Sequence, residues 1–200
     1  TLYAVYSRSY TANFYSGVNK ATTKTVASST VYYNTNTATV PTTVSITLDS
    51  AANSTDISNW TELGWRDDTT AGAKEYAYGA SATVAFGTNF YSVYSRTLTI
   101  SYNGNGNTSG STASTTATIY LNTNSTTTSS QAVTLASNGF TKTGNTFSKW
   151  AAGSTSGTQY AAGASYTAGL AYNAASYTVT ATAKWADETK PTATATRNTY

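Results

Sequence analysis

The chain has 200 residues, enough for one large domain or two small ones, and it is 13% aromatic but only 10% charged. It contains no Cys and no His, which excludes disulfides and the Ser-His-Asp and Cys-His catalytic arrangements. A net charge of +3 with scattered basic residues gives no support for nucleic-acid binding, and no apolar run is long enough for membrane insertion. We therefore predict no enzyme activity, no catalytic or metal site and no cofactor.

The predicted elements are nearly all strands, because Thr and Tyr favour strands over helix interiors. In chain order, residues 2–6 form a first strand, and Tyr10, Ala12 and Phe14 then alternate with polar residues, as in a half-buried strand. Thr/Ser-rich sequence follows at about 18–43, where we expect an extra hairpin. The predicted fold class is mainly β, or α+β at most.

The one helix signal precedes Trp60. A short helix is predicted there, with its N-cap at one of three residues: Ser54, Thr55 or Asp56. The matching part of the later sequence, "NGFTKTGNTFSKW", contains two glycines, which disfavour a regular helix.

The sequence repeats itself with an offset of about 88 residues. "VYSR" occurs at residues 5–8 and again at 93–96, and Leu98, Ile100 and Tyr102 then repeat the alternation of the opening strand. Further on, "ELGW" is matched by "FSKW", and "YAYGAS" by "YAAGAS", in the same order. The preserved order of these landmarks indicates tandem repeats.

The repeats define four predicted segments. Residues 1–8 are interpreted as the closing strand of a preceding repeat, 9–96 as repeat module 1 and 97–186 as repeat module 2. Residues 187–200 are interpreted as a linker or the start of a following module, because proline restricts the residue before it to an extended conformation. Thr/Ser-rich sequence at about 105–130 predicts an extra hairpin in the second module too.

Four stretches of the second repeat, "YNGNGNTSGS", "VTLASNGFTKTGNTFSKW", "GTQYAAGASYT" and "YTVTATAKW", resemble in this order the Listeria–Bacteroides repeat, also called the internalin B-type repeat. The first repeat matches more loosely, since Gly64-Trp65 lacks a Phe three residues before the Trp. In the second repeat, Asn145 stands where the family usually has an aromatic residue. The resemblance implies small β-grasp-like modules arranged end to end in a secreted or surface bacterial protein, where such modules act as stalks or spacers.

Aromatic residues at equivalent repeat positions are expected in the cores, because a core residue must recur in every unit. On this ground the structural core candidates are Tyr6, Phe14, Trp65, Tyr94, Tyr102, Trp150 and Trp185. Phe147, three residues before Trp150, is a further core candidate of the second repeat. Trp60 has no counterpart in the second repeat, so it is the candidate for a ligand-facing residue.

Acidic residues are confined to a few places. Asp67 and Asp68, with Glu62 and Glu75 nearby, could bind a cation, but we favour a solvated turn in which Arg66 neutralises part of the charge. Between Glu75 and Asp187 the sequence has no carboxylate, which excludes paired-carboxylate catalysis in the second repeat.

An intramolecular Lys–Asn isopeptide bond needs a buried Lys and a nearby carboxyl. The second repeat lacks the carboxyl, so this bond stays open only in the first repeat, through one of three lysines: Lys20, Lys24 or Lys74.

These patterns favour a non-enzymatic extracellular repeat region that acts as a stalk or spacer in a bacterial surface protein or adhesin. Its partners would then be neighbouring repeats of the same chain. The first alternative is an adhesive module that binds glycan or host protein through exposed aromatics. The second is a subunit of a self-assembling surface fibre, in which strand 2–6 completes a neighbour.

Overall fold

The computed structural model is mainly β, as predicted, and describes residues 1–36, 40–51, 57–129 and 132–188, with the backbone alone at 25–28. A three-residue 3₁₀ turn lies at Val18–Lys20. The strands in chain order are β1 (Val5–Ser16), β2 (Thr22–Asn34), β3 (Thr43–Thr47), β4 (Thr61–Arg66), β5 (Ser81–Ala85), β6 (Asn89–Asn103), β7 (Ser109–Gly110), β8 (Thr115–Asn122), β9 (Ala132–Thr134), β10 (Phe140–Thr141), β11 (Asn145–Ala152), β12 (Gln159–Tyr160), β13 (Ser165–Thr167) and β14 (Thr178–Asp187).

The chain divides into two compact units. Unit 1 comprises Thr1–Leu98, Thr118–Gln131 and Gly169–Tyr177. Unit 2 comprises Thr99–Ala117, Ala132–Ala168 and Thr178–Tyr200. Two segments of unit 1, Thr118–Gln131 and Gly169–Tyr177, are therefore separated in the sequence from its main part, Thr1–Leu98, by residues of unit 2.

In unit 1, β1 is the central strand. It pairs along its whole length with β2 in antiparallel orientation, and at residues 13–15 with the start of β6 in parallel orientation. β4 runs antiparallel to β6 on the other side, with a register shift between Glu62 and Gly64. A second, two-stranded sheet joins β3 to β5.

The core of unit 1 follows from the period-2 pattern of its strands. Alternate residues of β3 and β5 are buried, because successive side chains of a strand point to opposite faces. These buried residues lie in one core with the inward-facing residues of β1, with Trp65 of β4 and with Phe90 of β6. The core residues are Tyr10, Ala12, Phe14, Val44, Ile46, Leu48, Trp65, Ala82, Val84 and Phe90.

In unit 2, β14 occupies the central position. It runs parallel to residues 99–103 of β6 and antiparallel to β11, which in turn pairs with β12. The β11–β14 register shifts between Phe147 and Lys149. Two short antiparallel pairs, β9 with β13 and β7 with β10, complete the unit.

Several sequence predictions can be compared with these elements. The three candidate N-cap residues of the short helix lie outside the described residues, and the sequence after Trp60 is the strand β4. The Thr/Ser-rich stretch at about 18–43 contributes β2, and the one at about 105–130 contributes β7 and β8. Of the predicted linker at 187–200, only residues 187 and 188 are described.

Candidate functional site

Trp65 anchors the core of unit 1. The side chain is fully buried, and its indole N–H donates to the carbonyl oxygen of Asp49 at 2.9 Å. The ring of Phe14 meets it edge-on, with centroids 5.0 Å apart. Gly64, just before it, has a φ of +149°, and a Cβ at this position would collide with the carbonyl oxygen of Tyr76. The tryptophan is thus held by a polar bond, an aromatic contact and an irregularity of β4 at which the backbone requires glycine.

Trp150 in unit 2 makes contacts similar to those of Trp65. It is fully buried, and its indole N–H donates to the carbonyl oxygen of Ala136 at 2.9 Å. Tyr102 lies 4.8 Å from it between ring centroids, where Phe14 lies against Trp65 in unit 1. Phe147 is also 4.8 Å from the Trp150 ring. The stretch "NGFTKTGNTFSKW" therefore ends in a core residue.

A guanidinium-on-aromatic contact occurs twice in unit 1. The guanidinium of Arg8 lies 4.1 Å from the ring centroid of Phe86, and that of Arg96 lies 4.1 Å from the ring centroid of Tyr177. Arg96 also donates to the carbonyl oxygens of Ala174 and Ala175. Arg8 and Arg96 are the last residues of the two "VYSR" sequences. The same four-residue sequence therefore makes a cation–π contact at both places.

The structure places the predicted core aromatics at three depths. Phe14, Trp65, Tyr94 and Trp150 are buried. Tyr102, Phe147 and Trp185 are half-buried.

The core prediction for Tyr6 is corrected, because the structure leaves 48% of it exposed. Tyr94, its equivalent in the second "VYSR", is fully buried, because β4 pairs with β6 at that point. Tyr6 stacks on Tyr33 at 5.3 Å. No strand in the described residues pairs with the other edge of β1 at this position.

The ligand-facing assignment of Trp60 is also corrected. Only 7% of the residue is exposed. Its indole N–H donates to the carbonyl oxygen of Tyr172 at 2.8 Å, and its ring meets that of Tyr177 edge-on at 5.6 Å. The covering residues come from the segment Gly169–Tyr177, more than 100 positions away in the sequence.

The acidic cluster is organised by Arg66. Its guanidinium makes two bonds to Asp68, of 2.6 and 2.9 Å, and one of 2.5 Å to Glu75. The bond from Arg66 holds the pKa of Asp68 well below its usual range, whereas burial raises the pKa of Glu75. The geometry is a bidentate ion pair in a turn, with the arginine where a cation would have to bind.

Two of the three candidate isopeptide lysines make ordinary charge contacts. The ammonium of Lys24 is 3.0 Å from a carboxylate oxygen of Asp49. That of Lys20 lies between 5 and 6 Å from the ring centroids of Tyr15 and Tyr91. The third, Lys74, lies beside Gly64.

A buried polar site in unit 1 is formed around a turn in the segment Thr118–Gln131. We call residues 122–124, with the sequence Asn-Thr-Asn, the plug. The backbone N–H of Thr123 donates to the carbonyl oxygen of Ser92 at 3.0 Å, and its carbonyl oxygen accepts from the N–H of Lys20 at 2.7 Å. Its hydroxyl donates to the carbonyl oxygen of Gly17. Thr123 is fully buried with these bonds.

Asn122 extends the same site. Its side-chain amide donates to the carbonyl oxygens of Asp68 and Thr70 at 3.2 and 3.1 Å, and the residue is fully buried. The plug therefore forms hydrogen bonds with the turn after β1, with β6 and with the turn at residues 68–70 that follows Arg66. We call this set of partners the socket: Gly17, Lys20, Asp68, Thr70 and Ser92.

A second Asn-Thr-Asn turn lies at residues 34–36, which we call the head turn. In both turns the third residue's N–H donates to the first residue's side-chain oxygen, at 3.0 Å for Asn36 and 2.9 Å for Asn124. The N–H of Thr35 donates to the carbonyl oxygen of Ala4 at 3.1 Å. The sequence signal for this site, which the landmarks above do not include, is the pair "YYNTNT" from residue 32 and "YLNTNS" from residue 120, again 88 residues apart.

The head turn belongs to an exposed ribbon. We define the head ribbon as residues 4–8, which include the start of β1, and residues 31–36, which include the end of β2. Val5, Tyr6 and Tyr32 are 68%, 48% and 69% exposed. Leu2 and Tyr3, just before the ribbon, are exposed as well. Tyr6 and its cross-strand partner Tyr33 share one face of the paired strands, whereas Val5 and Tyr32 lie on the opposite face. Apolar side chains are therefore exposed on both faces of the ribbon.

Comparison of the chain with protein-family models, with curated proteins and with solved structures finds no match. Within the described part of the chain, no helix has the length and hydropathy needed to span a bilayer. The same residues contain no group of three or more His, Cys, Asp or Glu side chains arranged to hold a metal ion.

Proposed function

We propose that the chain is a non-enzymatic, extracellular repeat region that serves as a stalk or spacer in a bacterial surface protein or adhesin. Its tandem modules would be β-grasp-like, of the kind found in the Listeria–Bacteroides repeat. The observation that carries this proposal is that the opening and closing strands of each repeat lie side by side and parallel. They meet at residues 13–15 and 89–91 in the first repeat, and at residues 99–103 and 178–182 in the second.

Parallel end strands suit a load-bearing module. When such a chain is pulled by its ends, the two strands are drawn in opposite directions along their length. All the hydrogen bonds between them are then loaded together, whereas an antiparallel hairpin pulled at its open end loses them one pair at a time. A stalk must keep its length under tension, and this arrangement resists extension.

The recurrence of whole contacts at equivalent positions supports the repeat architecture. The indole-to-carbonyl bonds of Trp65 and Trp150 have equal lengths of 2.9 Å. The guanidinium contacts of Arg8 and Arg96 and the two Asn-Thr-Asn turns recur in the same way. Units that share the same core can be added in tandem, and the number of units then sets the length of a spacer.

The test is single-molecule force spectroscopy in two pulling geometries. The chain has no Cys, so handles can be attached at chosen positions. One sample is pulled by its two ends, and the other through Ser9→Cys and Thr30→Cys, two exposed residues opposite each other in β1 and β2. We expect a higher unfolding force in the first geometry. An end-to-end force no higher than the cross-strand force would contradict the load-bearing role.

A second candidate is an adhesive module that binds glycan or host protein, and the exposed Tyr3, Tyr6 and Tyr32 favour it. Tyr6 and Tyr32 lie on opposite faces of the ribbon, and a ring on either face can stack on a sugar. Binding on a glycan array that is lost in a Tyr6→Ser, Tyr32→Ser variant would support adhesion.

The fibre alternative predicts instead that the chain polymerises with rising concentration through residues 2–6.

A further inference from the structure

We propose that the head ribbon is a docking edge for another repeat unit of the same kind, placed before it in the chain. That unit would supply a β4-type strand along residues 4–7 and a socket for the head turn. This inference rests on the proposed repeat architecture and names the partner of one of its surfaces.

The first argument comes from the fate of the equivalent strand in unit 1. Residues 92–95 correspond to residues 4–7 through the shared "VYSR" sequences. Residues 92–95 pair with β4 in antiparallel register, and Ser92, Val93 and Tyr94 are all fully buried. The same sequence is largely exposed in the head ribbon, where Val5 is 68% exposed. The ribbon thus has the sequence of a closing strand, and within the described ranges no β4-type strand pairs with it.

The second argument comes from the two Asn-Thr-Asn turns. Thr35 and Thr123 each donate their N–H to the closing strand, and the internal Asn bond has the same geometry in both turns. Thr123 is fully buried in the socket, whereas Thr35 is exposed. The head turn is therefore already in the bonded shape of the plug, so docking would cost little ordering entropy.

The third argument concerns which partner fits. An exposed strand edge with apolar side chains is a template for another strand, and natural proteins usually cover such edges. A second copy of this chain has no spare β4, because its own β4 is paired with β6. A glycan would use the tyrosine rings, but it would not explain the preformed Asn-Thr-Asn turn. A repeat unit uses both features.

The test adds one unit to the chain in the register that the structure defines. Residues 9–91 are duplicated and joined directly to Ala4, because Ala4 is the equivalent of Ser92. Tyr32→Phe in the added copy ensures that Tyr32 reports only on the original ribbon. We expect nitration of Tyr6 and Tyr32 to fall at least about tenfold, and the amides of residues 5–7 to exchange at least about tenfold more slowly.

A matched control has one alanine inserted at the junction. A one-residue slip turns every side chain of a strand to the opposite face, so this chain should show no such protection. If the in-register unit folds while Tyr6 and Tyr32 stay as reactive as in the unmodified chain, the inference is overturned. It is also overturned if the added unit does not fold, because the ribbon would then have failed to complete it.

A further arm measures the unmodified chain by sedimentation. A monomer is expected, and a dimer abolished by Tyr32→Ser would show that a second copy, not a repeat unit, covers the ribbon. These outcomes are separate from the pulling experiment, which uses the unmodified fold. Failure of docking with a high end-to-end force would leave the stalk proposal standing.

Discussion

Thr123 donates its backbone N–H to the carbonyl oxygen of Ser92 at 3.0 Å, and this bond is one of those that join the plug to the socket. The bond between Thr35 and Ala4, 88 residues earlier, is nearly identical at 3.1 Å. Thr123 is buried and Thr35 is exposed. The same substitution at the two positions therefore measures what burial in the socket contributes to stability.

Thr123→Val should destabilise unit 1. The substitution keeps the branched shape but removes the hydroxyl that bonds to the carbonyl oxygen of Gly17. A buried acceptor that loses its donor costs about 1–3 kcal/mol. Denaturant unfolding monitored by tryptophan fluorescence would measure the loss. Thr35→Val is the matched control, and we expect it to change the free energy of unfolding by less than about 0.5 kcal/mol. Equal effects of the two substitutions would show that the socket contributes nothing.

Gly64→Ala should be much more costly than Gly144→Ala. Both glycines have positive φ, +149° and +74°. A Cβ at Gly144 meets nothing within 4 Å, so alanine there costs about 1–2 kcal/mol from its backbone conformation alone. At Gly64 the Cβ would also collide with the carbonyl oxygen of Tyr76, and the cost should exceed about 3 kcal/mol. Thermal unfolding of both variants checks the order, and the reverse order would rule out a steric role for Gly64.

Acid should weaken the protein through Asp68. The folded-state pKa of Asp68 lies below its ordinary value of 3.8, because Arg66 bonds to the ionised carboxylate. Its contribution to stability is therefore present above that ordinary value and is lost as the pH falls through the lowered folded pKa. Unfolding free energies measured from pH 6 to pH 2 should show this loss.

Asp68→Asn isolates the effect. Its amide cannot ionise, so the stability of this variant should fall less steeply with acid than that of the wild type. The comparison is needed because burial raises the pKa of Glu75, whose contribution has the opposite sign. Parallel acid curves for the variant and the wild type would refute a role for the Arg66–Asp68 pair.

Alkali should weaken the protein through Tyr78. Burial raises the pKa of Tyr78 well above its ordinary value of 10.0, and its hydroxyl bonds with that of Ser92 at 2.9 Å. The unfolded chain then releases this proton at a lower pH than the folded chain, so stability should fall as the pH rises above 10. Tyr78→Phe should fall less steeply, as measured by unfolding between pH 8 and pH 11.5. An unchanged slope in the variant would show that other groups cause the loss.

Much of the strand framework could be predicted from local sequence. The alternation at Tyr10, Ala12 and Phe14 predicts a half-buried strand, and these residues lie buried on the inward face of β1. The recurrence of Trp65 and Trp150 led to the expectation of two core tryptophans, and both are fully buried. These features depend on side-chain periodicity and on indole size, which are properties of short stretches of sequence.

The two "VYSR" sequences show where local sequence stops being informative. Tyr6 and Tyr94 have the same four-residue context, yet one is 48% exposed and the other fully buried. The difference lies in β4, which in the part of the chain that the structure describes pairs with the second sequence and not with the first. Burial of a strand residue depends on what pairs with its edge, and that partner can come from anywhere in the chain.

The sequence by itself determined the mainly β class and the excluded chemistries, because composition and period-2 patterning act residue by residue. Only the tertiary structure decided that Trp60 is covered by Tyr172 and Tyr177, and that Thr123 fills a socket in unit 1. Both contacts join positions more than 100 residues apart. Such contacts depend on how strands from distant parts of the chain are brought side by side, and no local pattern encodes that order.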